Sequence, residues 1–295
     1  MLLRVAHETC RGYIRHAPFG LGREWLWRAV CRPYLNWRPF RAVKPAAFGG
    51  RFVCDVPDMV QAHIYYFGRW EPNLTAFMQR RLEPGDTFID VGANIGYFSL
   101  LGSRLVGDRG RVVSIEASPS IFRQFTSNIE RNGAANIRAL NVAASDRHGT
   151  LDLYRGEVGN QGSTSLAKTE TAVKEATVPA VPFDEALSPQ ELADARVIKI
   201  DIEGAEPPVL ARILDRIADF RQDVEIVAEM TPDGPRTAEL LQQFAAAGFN
   251  CYRLTNEFSI ERYLGHAAAM PPIRIKGPIT EREDVIFSRQ DAAHL

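Results

Sequence analysis

The sequence predicts an α/β fold in which a mainly parallel sheet is covered by helices on both faces. From residue 86 onward, short runs rich in β-branched residues alternate with segments of helical periodicity, which is typical of parallel sheets. The last two predicted strands have no helix of ordinary length between them, which favours an antiparallel pair at the end of the sheet. A hydrophobic content of 45% and a charged content of 24% are ordinary for a globular protein.

The order of predicted elements supports this fold class. Helices are expected near residues 59–67 and 74–82, before the alternating region begins. The sheet strands are predicted at residues 88–91, 112–116, 137–143, 197–202, 225–230, 251–254 and 284–288. Helices between them are predicted at residues 95–105, 120–132, 208–218 and 236–247, and two short strands are expected at 151–154 and 178–181.

The first 50 residues are predicted to form a basic, aromatic and helical extension, and residues 51–295 to form the main domain. Residues 1–44 contain nine basic and two acidic side chains, a net charge of +7 in a chain whose total is −1. Trp25, Leu26, Val30 and Tyr34 are expected to share one apolar stripe. The favoured interpretation is a helical lid with solvated arginines; the alternative is a peripheral contact with anionic lipid, a glycan or a carrier protein.

Composition also narrows the class of partner and the compartment. A net charge of −1 gives no global field that would favour nucleic acid. The four cysteines have no metal-ligand spacing, which is typical of reduced thiols in a cytosolic protein. No apolar run resembles a secretory leader or approaches the ~18–20 residues of a membrane span. A cytoplasmic protein without a transmembrane segment is therefore expected.

The stretch TFIDVGANIGYFS at residues 87–99 is the first candidate site. A strand ends near Asp90 and passes through a turn with Gly92 and Gly96 into a helix, which leaves backbone N–H groups open to a ligand. A dinucleotide fingerprint would place a glycine where Asn94 stands, and Asp90 would repel a pyrophosphate. An acid at this position fits a cationic α-amino group, so the turn indicates S-adenosylmethionine rather than a dinucleotide.

Two further acids extend the predicted cofactor site. Glu116 ends the second strand, where a carboxylate accepts hydrogen bonds from both ribose hydroxyls of an adenosine. Ser118 and Pro119 are then expected to cap and begin the next helix. Asp146 follows the predicted third strand and would accept from the adenine amino group, with a surface turn before Gly149 as the alternative.

The fourth strand carries the second candidate site, in the stretch KIDIEGAE at residues 199–206. Period-two alternation places Lys199, Asp201 and Glu203 on one side, and a lysine inside a strand requires a carboxylate partner. Glu203 and Glu206 would also suit the N-terminus of the next helix. With Glu229 at the end of the fifth strand, Asp201 and Glu203 would form an acidic cluster suited to a general base or to a divalent cation.

These motifs together resemble the FkbM-type family of S-adenosylmethionine-dependent methyltransferases. The resemblance covers about residues 52–289 and includes WEP at 70–72, DVGANIGY at 90–97, GNQGSTS at 159–165, VPFD at 181–184 and DVIFSR at 284–289. It implies a class I methyltransferase fold, a doubly wound sheet of about seven strands with an antiparallel last strand. It also implies that Glu71, Gly92, Asn94 and Glu116 hold the cofactor and that Asp201 and Glu203 lie nearest the transferred methyl group. Ala117 stands where many members have proline.

The resulting hypothesis is methyl transfer to a hydroxyl of a sugar, a glycan or a secondary metabolite, with Asp201 as general base. Glu203 or Glu229 would assist it, and His63 and His148 are weaker candidates for the same role. A second hypothesis is a metal-assisted O-methyltransferase that uses Asp201, Glu203 and Glu229, although no metal is expected. A nicotinamide-dependent oxidoreductase and a non-catalytic binding protein on the same fold are the third and fourth hypotheses.

Overall fold

The computed structural model describes residues 2–17, 20–35, 40–155, 164–165, 173–232 and 234–291. Within these residues the chain forms two compact units. The first contains the N-terminal part of the chain through Pro72 and also Glu257–Ala269. The second contains Asn73–Arg155, the chain from Thr164 to Asn256, and the part that begins at Met270. The first unit thus continues beyond residue 50, the predicted end of the extension.

Strands and helices lie close to their predicted positions. The strands are β1 Arg41–Pro45, β2 Arg51–Asp55, β3 Thr87–Val91, β4 Arg111–Ile115, β5 Ile137–Leu140, β6 Ala143–Ser145, β7 Gly149–Arg155, β8 Thr164–Ser165, β9 Val173–Pro182, β10 Ala195–Ile200, β11 Glu225–Met230, β12 Asn250–Leu254, β13 Ile273–Arg274 and β14 Glu283–Ser288. The α-helices are α1 Leu2–His16, α2 Arg23–Trp25, α3 Met59–Phe67, α4 Pro72–Arg81, α5 Tyr97–Val106, α6 Pro119–Asn132, α7 Pro189–Asp194, α8 Glu206–Asp215, α9 Gly234–Ala246 and α10 Ile260–Tyr263. A π-helix, Leu26–Leu35, continues α2, and a 3-10 turn occupies Ile217–Asp219.

The second unit is built on an eight-stranded sheet with the order β13-β12-β14-β11-β10-β3-β4-β5. The strands from β11 to β5 are parallel to their neighbours, whereas β14 is antiparallel to both β11 and β12. This confirms the predicted doubly wound sheet with a reversed last strand, to which β13 adds a short edge strand. The strand order reverses between β3 and β10, where open α/β sheets bind their ligands beyond the carboxyl ends of the strands.

The central strands of this sheet are buried on both faces. Every residue of β3 and of β10 is buried, as expected for parallel strands that have helices on either side. Ile89 and Ile198 belong to a hydrophobic core that also contains Leu210 of α8 and Phe244 of α9. These rigid strands fix the positions of the polar residues that follow them.

The predicted third strand divides into two. β5 ends at Leu140, and Ala143–Ser145 pairs in parallel with β9 in a separate four-stranded sheet of order β6-β9-β7-β8. At the division, the Asn141 side-chain amide donates to the backbone carbonyls of Glu116 at 2.8 Å and Ala117 at 3.0 Å. Residues 143–146 therefore do not end a strand of the main sheet, and that part of the prediction is wrong.

The first unit differs from the predicted extension in two respects. Residues 41–45, at the end of the predicted helical extension, form a strand rather than a helix and pair antiparallel with β2. The predicted apolar stripe is also wrong, since Trp25 and Tyr34 are exposed and the buried residues are Trp27 and Cys31. The segment is π-helical from Leu26 onward, and its wider turn changes which side chains share a face. Among the described helices, none combines the length and apolarity needed to cross a bilayer.

Candidate active site

The turn after β3 adopts left-handed backbone conformations at alternate residues. The φ angles are 81° at Gly92, 51° at Asn94 and 89° at Gly96. Asparagine is one of the few residues other than glycine that occupy this region at modest cost. Asn94 therefore follows the glycine-type backbone path of a nucleotide-binding turn while adding a polar side chain.

The two predicted motifs, after β3 and after β10, are in direct contact. A Cβ atom on Gly92 would overlap the backbone carbonyl oxygen of Asp201 and lie 2.8 Å from its carbonyl carbon. The backbone N–H of Asp201 donates to the carbonyl of Val91 at 3.0 Å. The turn after β3 and the end of β10 thus form one continuous surface at the point where the strand order reverses.

Glu116 is held by backbone donors on both sides. Its carboxylate accepts from the N–H of Asn94 and from the N–H of Ser118, each at 2.8 Å. Burial raises the pKa of Glu116 to about 7 although both hydrogen bonds act to lower it. Each carboxylate oxygen accepts more than one hydrogen bond, so this side chain has capacity for a ligand hydroxyl. The predicted cap is confirmed, since the Ser118 hydroxyl accepts from the N–H of Ile121 and Pro119 begins α6.

Glu175 supports the same region and was not found from the sequence. Its carboxylate, on β9, accepts from the Ser118 hydroxyl at 2.7 Å and from the Ser120 hydroxyl and N–H. The contact joins residues 57 positions apart, and the stretch around Glu175 carries no motif. With Asn141, which holds the carbonyls at 116 and 117, it fixes the path of the chain around Glu116.

Asp90 belongs to a buried polar network near the end of β3. It is fully buried, and its Oδ2 accepts from the Ser99 hydroxyl at 2.6 Å, which in turn accepts from Ser114 at 2.9 Å. Burial raises the pKa of Asp90, while the positive charge of Lys199 opposes that effect. Asp90 Oδ1 has no hydrogen-bond partner among the described residues, although Lys199 Nζ lies 3.8 Å away. A buried carboxylate oxygen of this kind fits a cofactor with a cationic group.

Lys199 lies between two acids, Asp90 near the end of β3 and Asp201 just after β10. Its Nζ lies 3.2 Å from Asp201 Oδ2 and 5.3 Å from the centroid of the Phe98 ring. The prediction that this strand lysine requires a carboxylate partner is confirmed. The Asp201 side chain remains 33% exposed, so one side of its carboxylate is open to a reactant.

Three carboxylates converge beside the end of β10. One oxygen each from Asp201, Glu206 and Glu229 lies within 4.8 Å of the others. Burial first, and then the negative charge of Asp201, raises the pKa of Glu229 to about 8, and the same two causes raise the pKa of Asp284 to about 7. The Glu206 carboxylate accepts from the N–H groups of Ile202 and Gly204 and so shapes the turn before α8.

Glu203 does not join these three carboxylates as the alternation predicted. The strand ends at Ile200, and Glu203 has a φ of 55°, which breaks the period-two pattern. Its carboxylate instead lies 2.5 Å from the Arg282 guanidinium, which also pairs with Glu229. The cluster predicted as Asp201, Glu203 and Glu229 is therefore observed with Glu206 in place of Glu203, and Arg282 was not found from the sequence.

Glu71 and Asp146 are the two remaining predicted cofactor residues. Glu71 is in the first unit, just before α4, where it is buried and has a φ of 40°. Asp146 is exposed, and its carboxylate accepts from the Ser145 hydroxyl at 3.2 Å and lies 3.8 Å from Arg147. Neither position tests the proposed role, so both stay predictions.

The two histidines considered as bases have other contacts. His63 is buried among aromatic side chains of the first unit, its Nδ1 is 2.7 Å from the Met59 carbonyl, and burial lowers its pKa to about 4. His148 is exposed and pairs with Glu185 at 2.7 Å. These contacts give both histidines structural or surface roles. Of the GNQGSTS stretch at residues 159–165, residues 159–163 lie outside the described residues.

The family model for the methyltransferase FkbM domain matches residues 90–251. The match covers more than half of the chain and includes Asp90, Glu116, Asp201 and Glu229. The chain belongs to the FkbM methyltransferase family. Together with the observed strand order, this confirms the class I methyltransferase fold and S-adenosylmethionine as cofactor, and it sets aside the nicotinamide hypothesis.

Curated relatives are about a quarter identical to this chain over the residues that align. The 31-O-demethyl-FK506 methyltransferase FkbM of Streptomyces tacrolimicus is 26% identical over 196 residues, 57% of this chain and 74% of that protein. The hexuronic acid methyltransferase AglP of Haloferax volcanii is 26% identical over 142 residues, 48% of this chain and 56% of that protein. The protein-L-isoaspartate O-methyltransferase 1 of Arabidopsis thaliana is 27% identical over 121 residues, 41% and 48% respectively. The chain thus spans about half the length of the last two relatives.

Solved structures with a related fold are more distant. The methyltransferase FkbM of Methylobacillus flagellatus KT has a TM-score of 0.44 at 15% identity and covers 77% of this chain and 53% of that chain. Aeropyrum pernix fibrillarin, solved with S-adenosyl-L-methionine, has a TM-score of 0.43 at 11% identity and covers 87% and 86%.

Proposed function

We propose that this methyltransferase acts on a hydroxyl oxygen of a sugar, a glycan or a secondary metabolite, with Asp201 as the general base. The position of Asp201 is the observation that carries the proposal. Asp201 directly follows β10 and its backbone carbonyl contacts the glycine turn. Its side chain is 33% exposed and its carboxylate pairs with Lys199. Ligands of doubly wound sheets bind in the crevice at this place.

The cofactor is assigned to the turn that follows β3 and to the end of β4. The backbone of Gly92, Asn94 and Gly96 would line its path, and Glu116 would accept from the ribose hydroxyls. The buried carboxylate of Asp90 would balance the positive charge of the methionine portion. The donor set fits S-adenosylmethionine better than a dinucleotide, because this half of the site carries carboxylates where a pyrophosphate would require positive or neutral groups.

The chemistry assigns separate tasks to Asp201 and Lys199. S-adenosylmethionine supplies a methyl group bonded to a positively charged sulfur, which is electrophilic without further activation. A neutral alcohol is a weak nucleophile, so Asp201 takes the hydroxyl proton as the new oxygen–carbon bond forms and the sulfur keeps the electron pair of the broken bond. Lys199 holds the carboxylate of Asp201 in position for that transfer, and positioning of the reactants supplies much of the remaining acceleration.

The relatives support an oxygen acceptor on a small molecule or a glycan. The names of AglP and of the Streptomyces protein specify a hexuronic acid and 31-O-demethyl-FK506 as their substrates, whereas the Arabidopsis protein is named for isoaspartate in proteins. The Streptomyces name specifies an oxygen of a small molecule, and the AglP name specifies a sugar acid, which offers both hydroxyls and a carboxyl group. A cytoplasmic location stays a prediction alongside it.

The metal-assisted mechanism is less well supported by the contacts of the cluster. Glu203 and Glu229 both pair with Arg282, whose positive charge opposes a cation at the same place. The Glu206 carboxylate already accepts hydrogen bonds from two backbone N–H groups. Exhaustive chelation of divalent cations is therefore expected to leave turnover unchanged, whereas loss of activity that Mg²⁺ restores would favour the metal mechanism.

The proposed acceptor class is tested by transfer of an isotopically labelled methyl group. The full chain is incubated with carbon-13-labelled cofactor and a panel of hydroxyl, carboxyl and amine acceptors that includes hexuronic acids. The proposal predicts a product whose labelled carbon has the chemical shift of an O-methyl ether. Labelled methyl esters or N-methyl products from the same panel, with no ether among them, would contradict it.

A further inference from the structure

The first unit exposes large apolar side chains at an unusual density. Among the described residues, eleven large apolar side chains are exposed, and six of them fall between residues 2 and 34, namely Leu2, Val5, Tyr13, Leu21, Trp25 and Tyr34. Single exposed apolar residues are normal on any surface, but a concentration in one short segment marks a contact surface. None of these six side chains belongs to the buried core or to the residues described above at the methyltransferase site, and we call them the apolar face.

The residues of the apolar face are arranged along two connected helices. On α1, Leu2, Val5 and Tyr13 recur at helical spacing and are exposed, whereas His7 and Ile14 on the other side are buried. The Tyr13 hydroxyl donates to the Leu21 carbonyl at 2.5 Å, which joins α1 to the start of the second helical segment.

The second helical segment continues the exposed apolar side chains. Trp25 and Tyr34 are 66% and 69% exposed, while Trp27 and Cys31 of the same segment pack inward. Trp27 contacts the rings of Tyr66 and Phe67 of α3, which anchors the segment and leaves its other side outward. Tryptophan and tyrosine are the side chains that prefer the headgroup level of a bilayer, because they combine an apolar ring with a polar group.

The charge of the same segment selects an anionic partner. Residues 1–44 carry +7, whereas the remainder of the chain carries −8, because 26 basic residues there are outnumbered by 34 acidic ones. Arg4, Arg28 and Arg32 are exposed, and within the described residues Arg4 and Arg32 have no acidic side chain at salt-bridge distance. Exposed arginines interleaved with aromatic and aliphatic side chains are typical of helices that lie in the interface of an anionic membrane.

We propose that the first unit docks on an anionic lipid bilayer, with the apolar face inserted at headgroup depth and with Arg4 and Arg32 contacting lipid phosphates. The contact is peripheral, since no described helix can span the membrane. An acidic protein would satisfy the arginines, but it would not specifically require aliphatic and aromatic side chains spread along two helices. The inference is independent of the identity of the methyl acceptor and does not rest on the proposed function.

Co-sedimentation of the full chain with lipid vesicles tests the proposal. Vesicles of phosphatidylcholine alone are compared with vesicles in which about a third of the lipid is phosphatidylserine, and partition onto the anionic vesicles is expected to be at least about tenfold stronger. High salt should weaken it, because the charge contribution is screened. Equal partition onto both vesicle types would overturn the proposal. No partition onto either type would also overturn it and would favour a soluble acidic partner on this surface.

Matched variants separate the apolar from the charge contribution. The double variant Leu21→Ser with Trp25→Ser and the double variant Arg4→Gln with Arg32→Gln should each lower partition several-fold. The controls are Val173→Ser with Ile273→Ser, two exposed apolar residues of the second unit, and Arg109→Gln with Arg147→Gln, two exposed arginines of that unit. Thermal unfolding verifies that each variant folds. Controls that lower partition as much as the test variants would contradict a specific surface on the first unit.

Discussion

The two halves of the site hold their carboxylates by different means. In the half after β3 and β4, Glu116 accepts from two backbone N–H groups and Asp90 from a serine hydroxyl. In the half after β10 and β11, Asp201 pairs with Lys199, and Glu229 pairs with Arg282. Neutral donors thus hold Glu116 and one oxygen of Asp90 in the first half, whereas the charged side chains of Lys199 and Arg282 hold Asp201 and Glu229 in the second.

This difference suggests how binding and chemistry are divided. Backbone donors cannot move without refolding the turn, so the half that contains Glu116 is preorganised for one ligand shape. Charged side chains respond to protonation and to a nearby reactant, so the half that contains Asp201 is suited to proton transfer. Substitutions should therefore affect cofactor affinity in the first half and turnover in the second.

The largest effect is expected where the two halves touch. Gly92→Ala places a methyl group on the Asp201 carbonyl at a residue with a φ of 81°, so the turn and the end of β10 must separate. We expect a loss of at least about 3 kcal/mol of stability, together with loss of both cofactor binding and turnover. Chemical denaturation and calorimetry measure the two effects.

Gly149→Ala is the matched control for that change. Among the described residues, and apart from its two chain neighbours, no atom lies within 4 Å of a Cβ at Gly149, and its backbone is not left-handed. The control should leave binding and turnover at wild-type levels. A Gly92→Ala protein that binds cofactor with wild-type affinity would show that the halves are not coupled at this contact.

Substitutions at Glu116 test whether the first half of the site determines cofactor affinity. Glu116→Ala removes the proposed ribose acceptor and leaves the N–H groups of Asn94 and Ser118 without it, so cofactor affinity should fall by about 100-fold. Asp146→Ala removes an exposed carboxylate and should weaken affinity by only about two- to threefold. Calorimetric titration with S-adenosylhomocysteine compares the two, and equal losses would contradict the assignment of Glu116.

Arg282 tests the half that is held by charged groups. Arg282→Gln removes the partner that Glu203 and Glu229 share, and because that partner lowers the pKa of Glu229, the pKa should rise above its present value of about 8. We expect turnover to fall by about tenfold with cofactor affinity unchanged. Arg216→Gln, an exposed arginine of α8's C-terminal end, is the control and should leave turnover unchanged. A loss of cofactor affinity as large as the loss of turnover would contradict the separation of binding and chemistry between the two halves.

The smallest effect concerns stability as a function of pH. Folding raises the pKa of Glu229 from 4.5 to about 8, so between these values the folded chain holds a proton that the unfolded chain has released. The contribution of Glu229 to stability is therefore greatest below this window and is lost as pH rises through it. Glu229→Gln should flatten the decline by about 1 kcal/mol between about pH 6 and about pH 8.5, measured by urea unfolding. If the loss of stability with rising pH is unchanged in this variant, the loss arises from Glu116 and Asp284 instead of Glu229.

Much of the fold follows from local pattern. The seven predicted sheet strands and the helices between them are found within a few residues of their predicted bounds, because buried parallel strands and capped helices have strong local signatures. Asp90, Glu116 and Asp201 were placed at strand ends for the same reason, and the pairing of Lys199 followed from the cost of burying a charge.

The remaining features depend on contacts between distant parts of the chain. Arg282 meets Glu203 from 79 residues away, and Glu175 meets Ser118 from 57, so no local pattern indicates either pair. The replacement of Glu203 by Glu206 in the cluster follows from a left-handed residue that ends the alternation. The division of the third strand, near Asn141, depends on pairing with β9.

Asp201→Asn is the sharpest test of whether the two halves of the site separate cofactor binding from chemistry. Asparagine keeps the size and a hydrogen-bonding oxygen of Asp201 but cannot take the hydroxyl proton at neutral pH. The measurement pairs the cofactor dissociation constant, from calorimetry, with the rate of a single turnover on an acceptor found by methyl labelling. We expect the variant to have a dissociation constant for the cofactor within about twofold of wild type and a single-turnover rate lower by at least about 100-fold. A wild-type rate, or a loss of affinity that accounts for the whole loss of rate, would contradict it.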